Sequence, residues 1–279
     1  MIFTYRDIPI YYEIVGTGRP LVTIHGWSPD HRLMKGSLEP VFETLDTPWQ
    51  RIYFDLPGMG QTPGAPWIDG SDAMLEVVLA LIDGLLGDKQ FAIAGESYGG
   101  YLTRGVIKRR PNQVDGMLLI CPVADQATRL EHAPAFQVIE KDEAFVNSLT
   151  EEEQKYFTGI NVVQTRRVWN KFNEDVIPGL KLADNAFLEK VLSQHVPYSF
   201  NVDKLDAPFM KPSLMVMGRQ DHVVGYRDQW DLIENFPRAT FVVLDKAGHN
   251  MQIEQDTLFY ALVKEWLERM SLTPYTGNF

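Results

Sequence analysis

Residues 91–110 constrain this chain more than any other stretch. Phe91-Ala92-Ile93-Ala94 has the apolar character and length of a buried strand. Gly95-Glu96-Ser97-Tyr98-Gly99-Gly100 turns it sharply, and the residues up to Arg110 suit a helix stopped by Pro111. So tight a turn has no room for side chains two residues before or after its centre. Glycine at 95 and 99 supplies that room, and Ser97 can then sit in strained geometry with its hydroxyl exposed. The run demands a strand–turn–helix unit and makes Ser97 a candidate nucleophile. Its alternative is an ordinary turn that happens to hold a serine, and only partners elsewhere in the chain decide between the two.

The surrounding pattern fits such a unit. The first fifty residues read as strands, at 10–15 (ended by Gly16-Thr17-Gly18), at 21–24 (closed by His25-Gly26) and, just beyond, at 51–54. Asp72 can cap a helix whose Met74, Leu75, Val78, Leu81, Ile82, Leu85 and Leu86 fall at helical spacing. A strand at 117–121 follows the helix after Ser97, and the rhythm returns with strands at 212–218 and 240–244 and helices at 226–235 and 251–270. Strands alternating with helices indicate an α/β fold with a mostly parallel sheet covered on both faces. Between 124 and 206 no strand is obvious. That stretch is charged and helix-rich, with a capping box at Thr150-Glu151-Glu152-Glu153 and a break at Pro178-Gly179. It reads as a helical insertion over the carboxyl edge of the sheet, where open parallel sheets bind ligands.

A serine hydroxyl needs a base, and the base needs an orienting acid. His249, in Ala247-Gly248-His249, follows the strand that ends at Leu244. Asp221, in Gly218-Arg219-Gln220-Asp221, follows the strand that ends at Met217. The order serine, acid, histidine is the one this kind of turn carries on such a sheet. Alone, His249 could be a surface histidine and Asp221 a helix cap; together with Ser97 they form a candidate triad. Asp125 is the alternative acid, since it too follows a strand end. Attack on a carbonyl makes an oxyanion that needs two backbone N–H donors. The candidates are Tyr98, next to the nucleophile, and Trp27, in the loop His25-Gly26-Trp27; His25 itself reads as a structural hydrogen-bonding residue.

Other chemistries find little support. With 26 Lys plus Arg against 37 Asp plus Glu, the net charge of −11 disfavours nucleic acid and anionic membrane surfaces. Gly58-Met59-Gly60 lacks the third glycine of a dinucleotide loop, and His31, His132, His195 and His222 make no metal-binding spacing, so no metal is expected. The single cysteine, Cys121, lies in an apolar run and reads as a buried packing residue. Without an apolar span or a leader-like N-terminus, a cytoplasmic protein is expected.

On the residues His25-Gly26-Trp27, Asp55-Leu56-Pro57-Gly58-Met59-Gly60, Gly95 to Gly100, Gly218 to Asp221 and Gly248-His249, the chain resembles the alpha/beta-hydrolase superfamily over essentially its whole length. The resemblance implies an eight-stranded, mostly parallel sheet flanked by helices, built from residues 1–123 and 207–279, with 124–206 as a helical lid. It also implies hydrolysis of an ester or related acyl bond of a small molecule, without a cofactor, through an acyl-enzyme on Ser97. Carbon–carbon bond hydrolysis and aminopeptidase action use the same machinery; the latter would draw on lid carboxylates such as Glu140, Asp142 and Glu143. A ligand-binding receptor with little turnover is the reading from another class. The lid's Phe136, Val138, Ile139, Phe145, Tyr156, Phe157, Trp169, Phe172 and Phe187 are candidates for the substrate pocket.

Overall fold

The computed structural model describes residues 1–125, 130–194 and 196–272. Its chain begins with β1 (Ile2–Tyr5), β2 (Ile8–Val15) and β3 (Arg19–Ile24), then α1 (His31–Phe42), β4 (Trp49–Phe54) and α2 (Ser71–Leu86). β5 (Phe91–Glu96), α3 (Tyr98–Arg109) and β6 (Val114–Ile120) complete the first half. After the inserted segment come β9 (Ser213–Gly218), a 3-10 turn at Asp228–Asn235, β10 (Ala239–Leu244), α9 (Met251–Glu254) and α10 (Asp256–Ser271). The sheet has eight strands in the order β1-β2-β4-β3-β5-β6-β9-β10. β2 pairs antiparallel with both β1 and β4, and every other pairing is parallel. The central strands β3, β5, β6 and β9 are buried at every residue, as mainly apolar strands in a parallel sheet covered by helices should be. β1 and β10, at the two edges, are only partly covered.

Several local expectations need correction. The first fifty residues are not all strand: α1 occupies His31–Phe42 and turns Leu33, Met34, Leu38, Val41 and Phe42 inward. Asp30 caps it by accepting from Arg32 N–H at 3.0 Å. Gly36 and Pro40 lower its helix propensity, so the apolar spacing carries the element. Asp72 does not cap α2, which starts one residue earlier; it accepts instead from Ser199 N–H at 2.9 Å, on the chain returning from the insertion. The terminal helix is broken at Gln255, where the backbone leaves helical geometry (φ −124°, ψ 44°).

The inserted segment has more regular structure than expected. It contains β7 (Glu140–Lys141), α4 (Glu143–Val146), α5 (Glu151–Thr158), β8 (Val163–Gln164), α6 (Arg166–Asp175), α7 (Ile177–Leu182) and α8 (Asn185–Gln194). The two-residue strands pair parallel and are too short to show a period-two pattern. The capping box at Thr150 and Glu153 is present, and Pro178 opens α7 after the turn at Val176. These short helices bury a cluster of their own around Phe157, Trp169 and Phe172, joined from the main body by Leu33 and Ile253.

Buried polar groups fasten the insertion to the sheet. Arg104 of α3 donates to the carbonyls of Val123 and Ala124, each at 2.6 Å, and to Asp203 Oδ1 at 2.7 Å, so one guanidinium holds both roots. Glu254 of α9 accepts from the N–H groups of Val162 (2.6 Å), Val163 (3.2 Å) and Gly248 (2.5 Å). Arg167 of α6 returns the contact by donating to Ile253 O and Glu254 O, which the end of α9 leaves unbonded. Asp175 packs against α1 where a Cβ on Gly36 would stand 2.1 Å from its carboxylate.

Candidate active site

The turn after β5 has the strain its glycines announce. Ser97 sits at φ 53° and ψ −117°, between β5 and α3. A Cβ on Gly95 would lie 2.3 Å from Gly99 O, and one on Gly99 would lie 2.1 Å from Ile24 O, so neither position tolerates a side chain. Ser97 N–H donates to Ile120 O at 2.9 Å, while Ser97 O accepts from Gly100 and Val123 N–H, both at 3.0 Å. The positive φ is thus held by bonds to the next strand as well as by the helix start.

Ser97 Oγ lies 2.9 Å from His249 Nε2, and His249 Nδ1 lies 2.9 Å from Asp221 Oδ2. The other Asp221 oxygen accepts from Val223 and Val224 N–H at 2.9 and 3.0 Å, which anchors the fully buried carboxylate. An anionic Asp221 accepts the Nδ1 proton and leaves Nε2 to accept from the serine hydroxyl. The structure therefore brings Ser97, Asp221 and His249 into one chain of contacts. Asp125 is elsewhere: it is exposed, at the root of the insertion, and its charge is felt by the Tyr101 phenol.

The loop after β3 presses its backbone against the serine. A Cβ on Gly26 would come within 2.1 Å of Glu96 Oε2 and 3.1 Å of Ser97 Cβ. His25, fully buried, accepts Leu56 N–H at Nε2 (3.0 Å), so its Nδ1–H donates to Gly26 O (2.7 Å). Burial pushes the pKa of His25 down and keeps the ring neutral, as a structural histidine requires. With Gly26 O turned toward His25, the trans peptide directs Trp27 N–H the opposite way. Tyr98 N–H belongs to the first turn of α3, whose donors lack intrahelical partners. The two rings meet edge to face at 4.9 Å.

A cavity of about 340 Å³ opens above Ser97 and His249. Trp27, Pro29 and Leu33 line it from the main body; Lys155, Tyr156, Phe172, Val176 and Leu180 close it from the insertion. Of the aromatics singled out by sequence, Tyr156 and Phe172 reach the cavity, whereas Phe145, Phe157 and Trp169 pack the insertion's own core. Phe136 is exposed, and Phe187 fills the space left by Gly58 and Gly64. That packing accounts for the glycine-rich loop without a nucleotide. Glu140, Asp142 and Glu143 do not line the cavity: they pair with Lys246, cap α4 and pair with Lys141. His31 bonds Asp55 at 2.7 Å, His132 bonds Asp228 at 2.6 Å and His222 packs on Phe136, while His195 lies outside the described residues.

Residues 19–256 match the alpha/beta hydrolase fold family. The chain belongs to that family. It is 24% identical over 267 residues to the pimeloyl-[acyl-carrier protein] methyl ester esterase of Legionella pneumophila (strain Paris), covering 93% of this chain and 99% of that one. It is 22% identical over 271 residues to a 2-hydroxy-6-oxononadienedioate/2-hydroxy-6-oxononatrienedioate hydrolase of Burkholderia vietnamiensis, covering 94% and 92%. Among solved structures, an alpha/beta superfamily hydrolase from Oenococcus oeni PSU-1 superposes with a TM-score of 0.85 at 29% identity, over 97% of this chain and 99% of that one. Among the described residues no helix is long and apolar enough to cross a membrane.

Two polar residues near the site escaped the sequence reading. Glu254, in Met251-Gln252-Ile253-Glu254, is a buried carboxylate whose partners are backbone groups distant in sequence. Glu96 did carry a signal, as a carboxylate inside an otherwise apolar strand.

Proposed function

We propose that this alpha/beta hydrolase cleaves a small or medium acyl ester through an acyl-enzyme on Ser97, with His249 as base, Asp221 as its orienting acid and the N–H groups of Trp27 and Tyr98 as oxyanion donors. The observation that carries this reading is the continuous contact from Ser97 Oγ through His249 to Asp221, 2.9 Å at each step, on the floor of the cavity. His249 Nε2 takes the hydroxyl proton as Ser97 Oγ bonds to the acyl carbon, and the carbonyl oxygen becomes the oxyanion. His249 then gives the proton to the departing alcohol. Water, activated by the same imidazole, releases the acid and restores Ser97. In this reading residues 124–206 are a lid, and Tyr156, Phe172 and Leu180 set the acyl chain it admits.

The resemblance to the oxononadienedioate hydrolase supports carbon–carbon cleavage as the second reading, with the same serine and a diketone-like substrate. Aminopeptidase action loses its support, because the lid carboxylates it would draw on are engaged away from the cavity.

A panel of p-nitrophenyl esters, amino-acid amides and vinylogous diketones tests the proposal together with a serine-reactive fluorophosphonate. Expected are rapid ester turnover and labelling at Ser97, with Ser97→Ala cutting kcat by about 10⁴ or more while the fold survives. Asp221→Asn should lower kcat about 10⁴-fold and Asp125→Asn leave it unchanged. Wild-type turnover by Ser97→Ala would overturn the mechanism. Diketone cleavage far exceeding ester cleavage would select the second reading, and labelling without turnover on the whole panel would favour a receptor.

A further inference from the structure

Glu96 is the last residue of β5 and lies directly before Ser97 in the chain. Its side chain is 3% exposed, and the little surface it keeps faces the cavity above the serine. Glu96 Oε1 lies 3.5 Å from His249 Nε2, the ring nitrogen that also meets Ser97 Oγ. Glu96 Oε2 lies over Gly26, close enough to exclude any side chain there. Asp221 holds the opposite ring nitrogen. The imidazole therefore stands between two buried carboxyl groups, of which the proposed triad uses one.

We propose that Glu96 is a second carboxylate partner of His249, a positioning residue that offsets the positive charge the ring acquires on taking the serine proton and steadies the imidazolium beside Ser97. The inference rests on the reading of Ser97 and His249 as nucleophile and base. An acid of the Asp221 kind can be satisfied at Nδ1 alone, so nothing in the triad requires a carboxyl at the other edge. The elements packed around Glu96 present His249 from the loop after β10, Asp221 from the loop after β9 and the Cys121 thiol from the end of β6. Burial pushes the Glu96 carboxyl up to about 7, His249 pulls it back and Asp221 pushes it further up. The Glu96 carboxyl therefore changes charge near neutrality, directly beside the ring.

An ionised Glu96 favours the imidazolium and raises the pKa of the ring. Glu96→Gln keeps the size, removes the charge and should lower that pKa. The acid limb of log kcat/KM for p-nitrophenyl acetate should move to lower pH, and the kcat plateau should fall about 10-fold with KM little changed. Glu96→Asp, which keeps the charge, should leave the limb near its wild-type position. A Glu96→Gln profile with the wild-type limb would overturn the proposal. In the unaltered protein, the His249 imidazole proton followed by NMR should show two inflections, and a single inflection would also overturn it; this holds even if Glu96→Gln fails to fold. Ser97→Ala separates the two claims. If it retains activity, the nucleophile reading fails. If it abolishes activity while Glu96→Gln leaves the limb in place, only the role of Glu96 fails.

Discussion

In the sheet, Ser97 follows the end of β5, Asp221 the end of β9 and His249 the end of β10, so their mutual distances are fixed by parallel strand pairing. In the insertion, Tyr156, Phe172 and Leu180 come from short helices with a separate hydrophobic cluster. The sheet residues are joined across long stretches of sequence by ladders of backbone bonds. The cavity's upper wall is tied down mainly by side-chain fasteners, Arg104 and Glu254 foremost. The two regions are held by different means. The proposed chemistry belongs to the sheet, the shape of the space above it to the insertion.

Cutting the shared fastener should have the largest effect on stability. Arg104→Met leaves Asp203 and the carbonyls of Val123 and Ala124 without their buried donor. The expected cost is about 3–5 kcal/mol, visible as a large drop in the urea midpoint of the whole chain. A midpoint within error of wild type would mean the two regions are not joined there. Phe157→Ala empties the centre of the insertion's cluster, where the ring is fully buried. About 3 kcal/mol of local stability should go. Hydrogen exchange should show protection lost over residues 139–177 and retained in β5; equal loss in both would erase the distinction between the regions.

A smaller, opposite effect is expected where the regions touch. Burial pushes the Asp175 carboxyl up to about 6, with Lys171 pulling it down. The folded chain then binds more protons than the unfolded one between the ordinary carboxylate range and about 6, so stability falls as pH rises through that window. Asp175→Asn removes the penalty. It should raise Tm at pH 8 by a few degrees, about 1 kcal/mol, and leave it unchanged at pH 4. A lower Tm at pH 8 would show that the carboxylate contributes a bond worth more than its burial costs.

The legible parts were those with strong local grammar. The turn at Ser97 and the buried runs of β3, β5, β6 and β9 declare themselves through glycine spacing and short apolar stretches. The candidate site was legible because Asp221 and His249 stand just past such runs. α1 was missed because Gly36 and Pro40 interrupt its propensity, although Met34, Leu38 and Val41 keep the helical spacing. β7 and β8 are too short to show alternation, and they form because Ile139 and Glu140 N–H can bond Val162 O. Glu254 was missed for a deeper reason: its function lies in backbone groups at Val162, Val163 and Gly248, and no local pattern marks a carboxylate for distant amides.

The grip of Arg104 on Ala124 and Asp203 has a polymer-physical consequence. The chain leaves the sheet and returns to it within the span of one side chain, so the intervening segment is a closed loop seen from the core. Closing such a loop depends on the logarithm of its length, and doubling it adds only about 0.6 kcal/mol. The entropic cost of lengthening the segment over Ser97 is therefore small, provided its two ends still meet at that arginine.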